Sequence, residues 1–154
     1  MPTIPQFTPP PVPAAAPLTL NHLLIDALKG MRIAMLTSTT ASYGRLSSRP
    51  MALQEIDQQS DLWFFTDRSL SWVANLLHHP WVNLSFSTLA PDTYVSVAGC
   101  ADLVQDPLRT RLFWRDEHLT WYPNGPDDPH LALLRVICVH AEAWIDGRHQ
   151  VIRP

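Results

Sequence analysis

Two short stretches carry the residues most suited to chemistry. In Ser47-Ser48-Arg49-Pro50-Met51-Ala52-Leu53-Gln54, regular strand alternation puts Arg49 on one face with Met51 and Leu53, so a guanidinium falls on an apolar side. A charge so placed needs an anionic partner. The competing arrangement breaks the pleat at Pro50 and turns Arg49 to water. Pro50 also removes one ladder donor, which points to an edge or a bulge. In "TDRSLSW", residues 66–72, Thr66, Ser69 and Ser71 supply hydroxyls and Arg68 a second cation, while the helix start that follows supplies unpaired N–H groups. Together they suit a phosphate. A helix start alone favours the other reading, an ordinary cap with Asp67 or Ser69 accepting from the first turn.

Other familiar chemistries are not spelled out. His78, His79, His118, His130, His140 and His149 form no C-x-x-C pair and no H-E-x-x-H helix, so no metal centre is expected. Ser85, Ser87 and Ser96 lack a nucleophile-elbow sequence, and no glycine-rich loop can cradle a dinucleotide or a nucleoside triphosphate. No side chain declares itself a general acid or base, and no catalytic residue is assigned.

A net charge of -3 and a pI of about 6.1 give no general attraction to nucleic acid or anionic membrane, so any anion site must be local. No apolar run approaches the ~20 residues that a membrane helix needs. Cys100 and Cys138 lie in apolar, strand-like contexts, and the N-terminus lacks a signal-peptide layout; reduced, buried thiols and a cytoplasmic location are expected. With 154 residues, 46% of them hydrophobic, the chain has the material for one sizeable core and one domain. Six tryptophans serve a core, an interface or the stacking of a planar ligand.

Residues 1–17 hold seven of the 15 prolines and no charged side chain, which predicts a flexible or extended tail. The domain is expected over residues 18–147, with a short C-terminal tail at 148–154. Leu20, Leu23, Leu24, Ala27 and Leu28 have helical spacing, and Gly30 is a candidate C-cap. Strands are predicted over residues 33–38, 46–56, 62–66, 81–87 and 93–105, with a bulge or close backbone approach at Gly99. A short helix at 71–79 stops at Pro80, and Asp106-Pro107 opens another that runs to about residue 116. Residues 122–129 form a proline-rich loop, and 131–144 one long bent strand or two short ones. These elements predict a mainly β fold with short helices (α+β), an antiparallel barrel of six or so strands.

The order of "RIAMLTST", "GRLSSRPMALQ", "LWFFTDR", "YVSVAGCADLV", "WYPNGPDDPHLALLRV" and "AEAW" resembles the general stress protein branch of the pyridoxamine 5'-phosphate oxidase-like flavoproteins, over residues 20–146. The resemblance implies a six-stranded split β-barrel, usually a homodimer, with FMN at the subunit interface. It places Arg49 against the flavin phosphate, the Pro50-Met51 strand against the isoalloxazine ring, and Phe65 and Thr66 along the ribityl chain and phosphate. Gln54 stands where related oxidases often carry a lysine near the ring. Tyr94 corresponds to a position that reaches the partner's flavin. Trp114, Trp121 and Trp144 resemble aromatic positions around the cofactor and the dimer interface.

Two departures qualify what the resemblance implies. The family usually carries serine four residues and lysine six residues beyond the threonine of the "FFTD" core, both aimed at the phosphate; here those positions are Leu70 and Trp72. One lost charge-assisted contact weakens binding by about 1.5 to 3 kcal/mol. A local shift of Arg68, Ser69 or Ser71 would compensate. The tryptophan with spaced arginine and histidine that ends true pyridoxamine-phosphate oxidases is not matched by Trp144-Ile145-Asp146-Gly147-Arg148-His149, so vitamin B6 synthesis is not expected, and Arg148 and His149 are expected in a solvated tail.

The expected function is that of an FMN-binding oxidoreductase of redox or stress physiology, the flavin supplying the chemistry. Two alternatives stay open. One is a non-catalytic dimeric module with a degenerate flavin pocket, filled or covered by Trp72. The other is a split barrel around another planar cofactor, a deazaflavin or a haem, although no axial-ligand signature supports haem.

Overall fold

The computed structural model describes residues 18–42 and 44–152, with side chains from residue 22 onward. The tail expected at residues 1–17 and the end of the one expected at 148–154 lie outside the described residues, as do Tyr43 in the first turn and the side chain of Leu20. The elements run α1 (Leu18–Ala27), β1 (Ile33–Thr39), β2 (Leu46–Ile56), β3 (Leu62–Asp67), α2 (Ser71–Leu76), β4 (Trp81–Leu89), β5 (Asp92–Val104), α3 (Pro107–Phe113), a 3-10 turn (Asp116–Thr120), β6 (Leu131–Ile145) and β7 (Arg148–Ile152).

Six antiparallel strands close a barrel in the order β3-β2-β1-β4-β5-β6, with β3 also pairing β6. Closure leaves few free edges. Strand alternation decides what fills the interior: Ala34, Leu36, Met51, Val82, Leu84, Phe86, Val95 and Val97 point inward and are buried. Leu24 and Ala27 of α1, with Leu28 in the turn that follows, join the same core, and Gly30 ends that segment with φ +81°, a conformation glycine adopts without steric cost.

β3 departs from alternation because both of its faces are covered. Leu62 and Phe64 enter the barrel, while Trp63 and Phe65 face outward into a second cluster with Phe113, Leu131 and Leu133. The continuous apolar run is the signature of such a strand. Asp106 caps α3 by accepting the Arg109 N–H at 3.0 Å, with Pro107 at the first helical position. α3 ends at Phe113, short of the predicted residue 116, because Trp114 turns extended and the chain re-enters a 3-10 turn. α2 likewise ends at Leu76 rather than 79.

β6 is one strand of 15 residues. Its register against β5 shifts between Ala98 and Gly99, leaving Val139 unpaired. A Cβ on Gly99 would lie 2.6 Å from the Ile137 carbonyl oxygen, so the bulge and the close approach coincide there. The segment expected as a tail from residue 148 instead carries β7, paired with β6 from Ala141 to Ile145. Its anchor is Ile152, which is buried in the core. Arg148 and His149 are exposed, but His149 is tied to Glu142 at 2.8 Å and stacks on Trp144. Among the described residues no helix is long and apolar enough to cross a membrane. Cys100 and Cys138 are free thiols, the first half-buried and the second buried.

Candidate functional site

β2 and β3 pair only from Leu53 to Ile56, with a register shift between Leu53 and Glu55. Beyond that point β2 keeps β1 as its neighbour, while β3 continues along β6 through Phe65, Thr66 and Asp67. The barrel is split there, and the gap is a groove. Pro50 sits on the edge so formed, where its missing N–H costs no ladder bond. The edge backbone also presents polar groups to whatever enters.

One end of the groove, about 250 Å³, is lined by Ile33, Pro50, Met51, Ala52, Gln54, Phe65, His118, Trp121 and Tyr122. Its continuation, about 350 Å³, is lined by Arg49, Pro50, Met51, Phe65, Thr66, Asp67, Leu70, Trp72, Trp121 and Tyr122. The first part is mostly apolar. The second carries the charge.

Arg49 does share the apolar inner face of β2, as alternation requires, and it does not turn out to water. Its Nη1 donates to Ser38 Oγ at 2.8 Å and its Nη2 to the Ser47 carbonyl at 3.3 Å. The guanidinium lies over the Trp72 ring, 4.2 Å from its centroid. Burial lowers its pKa from the usual arginine value, yet a guanidinium stays protonated. Among the described residues no carboxylate forms an ion pair with it. An oriented, partly desolvated guanidinium keeps N–H donors that could meet an anion.

The "TDRSLSW" segment divides in two. Thr66, buried, and Trp72 line the charged end of the groove. Arg68, Ser69 and Ser71 are exposed and do not line it. Ser69 is held elsewhere, its N–H and its hydroxyl both donating to Asp67 Oδ1, at 2.8 and 2.6 Å. Those bonds, the side-chain one first, keep the Asp67 carboxyl below the ordinary range. The helix start is not capped by a side chain either: Leu70 occupies the cap position. An anion in the groove therefore meets one guanidinium and one carboxylate, with Leu70 and Trp72 beside them.

The opposite wall is aromatic. Phe65 meets Trp114, His118 and Tyr122 edge to face at centroid distances of 5.9, 4.9 and 6.2 Å. Such contacts fix ring orientation as well as adding area. Burial pushes the Tyr122 hydroxyl up to about 12, so it remains a neutral donor. Trp121, 79% exposed, stands at the mouth of both parts. Gln54 lines the mostly apolar end, its amide donating to the Ala52 carbonyl at 3.0 Å. Tyr94 is not in this groove. Registers place it on the barrel's outer face, opposite Trp144 and Ser87.

His118, Tyr122, Ile33 and Ala52 line the groove without having been singled out from sequence. The 3-10 turn that delivers His118 and Trp121 has no strong sequence signal. Its one trace is the pairing of Arg115 and His118 three residues apart, where His118 Nδ1 accepts the Arg115 N–H at 2.9 Å. Among the described residues no His, Cys, Asp and Glu cluster is placed to hold a metal.

Residues 21–153 match the family described as pyridoxamine 5'-phosphate oxidase like. A crystal structure of the general stress FMN/FAD binding protein from Xanthomonas citri is 31% identical, with 84% of this chain and 91% of that one covered and a TM-score of 0.69. A general stress family protein from Xanthomonas campestris pv. campestris is 33% identical over 88% of this chain and 92% of its own, with a TM-score of 0.67. The Neurospora crassa protein bli-3 is 27% identical over 129 residues, and the match spans 78% of this chain but only 62% of that protein. A Clostridium acetobutylicum protein related to general stress protein 26 shares the fold at a TM-score of 0.73 and 17% identity. With its split barrel and the family match running through nearly every described element, the chain belongs to the pyridoxamine 5'-phosphate oxidase-like family.

Proposed function

We propose that the groove binds FMN, with Arg49 on the phosphate, Thr66 beside it, and the ring against Pro50, Met51 and Phe65. The observation that carries this reading is the split between β2 and β3, beside which a half-buried guanidinium, in no ion pair among the described residues, lies at one end of a mostly apolar groove. The donor set fits a phosphorylated planar ligand. When bound, a flavin supplies hydride acceptance and return. The chain's own part is to anchor the phosphate, stack and orient the ring and limit water.

Redox chemistry in stress physiology is the role we assign. The Xanthomonas citri relative named for FMN/FAD binding supports the cofactor class. A homodimer belongs to the same proposal. Ile33, Met35, Tyr94 and Trp144 are exposed on the barrel's outer face, beside Pro50 and Ala52. A solvated sheet face reads polar, and a large exposed apolar patch marks an interface. A second copy on that face would close the open side of the groove and bring Tyr94 toward it. The cytoplasm is the proposed location.

A second reading rests on Trp72. Its ring, under Arg49, lines the charged end, and a groove adapted to a different occupant, or to none, would look the same there. The visible absorption spectrum of protein purified without added cofactor separates the two. Flavin bands near those of FMN, in a dimeric species that Tyr94→Asp converts to monomer, support the first reading. A colourless protein that takes up no FMN at high concentration supports the second.

A further inference from the structure

His118 is the one buried imidazole facing the groove, and neither the barrel nor the phosphate end requires it there. The residue is 8% exposed, its ring packed against Phe65 at 4.9 Å and Trp114 at 5.3 Å between centroids. Nδ1 accepts the backbone N–H of Arg115 at 2.9 Å, so in the neutral ring the proton sits on Nε2. Among the described residues Nε2 has no hydrogen-bond partner, and it is not closed off from solvent as a buried orphan. A donor fixed in tautomer by its other nitrogen, on a residue that lines the mostly apolar end of the groove, is suited to reading a ligand.

We infer that His118 Nε2–H donates a hydrogen bond to an acceptor on the edge of the planar ligand in the Pro50–Gln54 half of the groove; for a flavin, such acceptors are the ring carbonyl oxygens. This rests on the flavin reading above. It adds a polar specificity contact to a wall of hydrocarbon and aromatic faces, whose other side-chain donors come from Trp121, Tyr122 and Gln54, the last turned to Ala52. A pocket of this kind sets orientation through a few placed donors. His118 thereby also links ligand binding to the 3-10 turn, since the same ring holds Arg115.

The competing role is purely structural, the ring serving as cap for Arg115 and edge partner for Phe65. Two variants separate the roles. His118→Asn keeps an acceptor near the Nδ1 position and loses the Nε2 donor; His118→Gln does the reverse. Flavin affinity is read by fluorescence quenching with FMN and riboflavin, folding by thermal unfolding, and the ring itself by nitrogen-detected NMR of selectively labelled histidine. The proposal expects an Nε2–H tautomer in the free protein and a shift of Nε2 on saturation with FMN. His118→Asn should lose roughly three- to tenfold in affinity for both flavins, and His118→Gln should regain part of it. Uptake by wild type with Nε2 unmoved and His118→Asn binding as tightly as wild type overturns the His118 inference alone. Absence of uptake by wild type overturns the flavin reading and this inference with it.

Discussion

Replacing Trp72 with lysine should loosen the free protein and tighten FMN. The indole lies 4.2 Å below the Arg49 guanidinium, a geometry that contributes ~0.5 to 2 kcal/mol depending on desolvation. An ammonium there removes that contact and adds like-charge repulsion, about 1 kcal/mol if fully hydrated and about 4 kcal/mol at the lower effective dielectric of a half-buried site. A lysine that swings partly to water leaves a net loss of about 2 kcal/mol, a fall of roughly 4 to 8 °C in Tm for a domain of this size. Phosphate binding reverses the balance. Two cations then share a dianion, and a new charge-assisted contact of about 1.5 to 3 kcal/mol tightens FMN roughly ten- to a hundredfold. Riboflavin, which lacks the phosphate, is the internal control and should not gain. Paired titrations of wild type and Trp72→Lys with both flavins read the effect directly, and thermal shifts at saturating FMN read it again by linkage. Equal changes for FMN and riboflavin, or none for either, would refute the placement of the phosphate beside Arg49 and Trp72.

Gly99→Ala puts a Cβ 2.6 Å from both the Ile137 carbonyl oxygen and Val136 Cγ1, so the β5–β6 ladder must shift. Thermal unfolding should show a loss of about 1 to 3 kcal/mol, and an unchanged Tm would mean the bulge relaxes freely. Asp61 predicts a pH effect. Burial, with the Asp57 carboxylate second, raises its pKa from 3.8 to about 6 against the pull of Arg135. The folded state then holds this proton more tightly than the unfolded chain, so its stabilising contribution is complete below about pH 4 and is lost as pH rises through about 6. Plotted against pH, the Tm of Asp61→Asn should gain on wild type across that window and run parallel above it; parallel curves throughout would contradict the raised pKa.

Local rules explain which parts of this account the sequence could disclose. Asp106-Pro107, Gly30 and the alternation of β4 act through neighbours a few residues away, and each took its expected form. Gly99 was legible as a special position because a strand interior seldom accepts glycine without a reason. The charge on the apolar face of β2 was also legible, but its partners were not. Ser38 and Trp72 reach Arg49 only through strand pairing and chain reversal, contacts that no local pattern encodes. Ser69 misled for the opposite reason: it lies close to the anion groove in sequence, yet Asp67 two residues earlier captures both of its donors. β7 escaped notice because its strand signal is weak and its stability comes from β6 and the burial of Ile152. His118 was invisible as a groove residue because a 3-10 turn between two loops has no period to read.

If Arg49 holds the phosphate of a flavin in the split between β2 and β3, FMN titration of wild type and Arg49→Ala, with riboflavin alongside, will read it. Wild type should bind FMN with micromolar or tighter affinity, the variant should lose roughly ten- to hundredfold, and riboflavin should change little. Undiminished FMN affinity in Arg49→Ala, or no uptake by wild type, would contradict it.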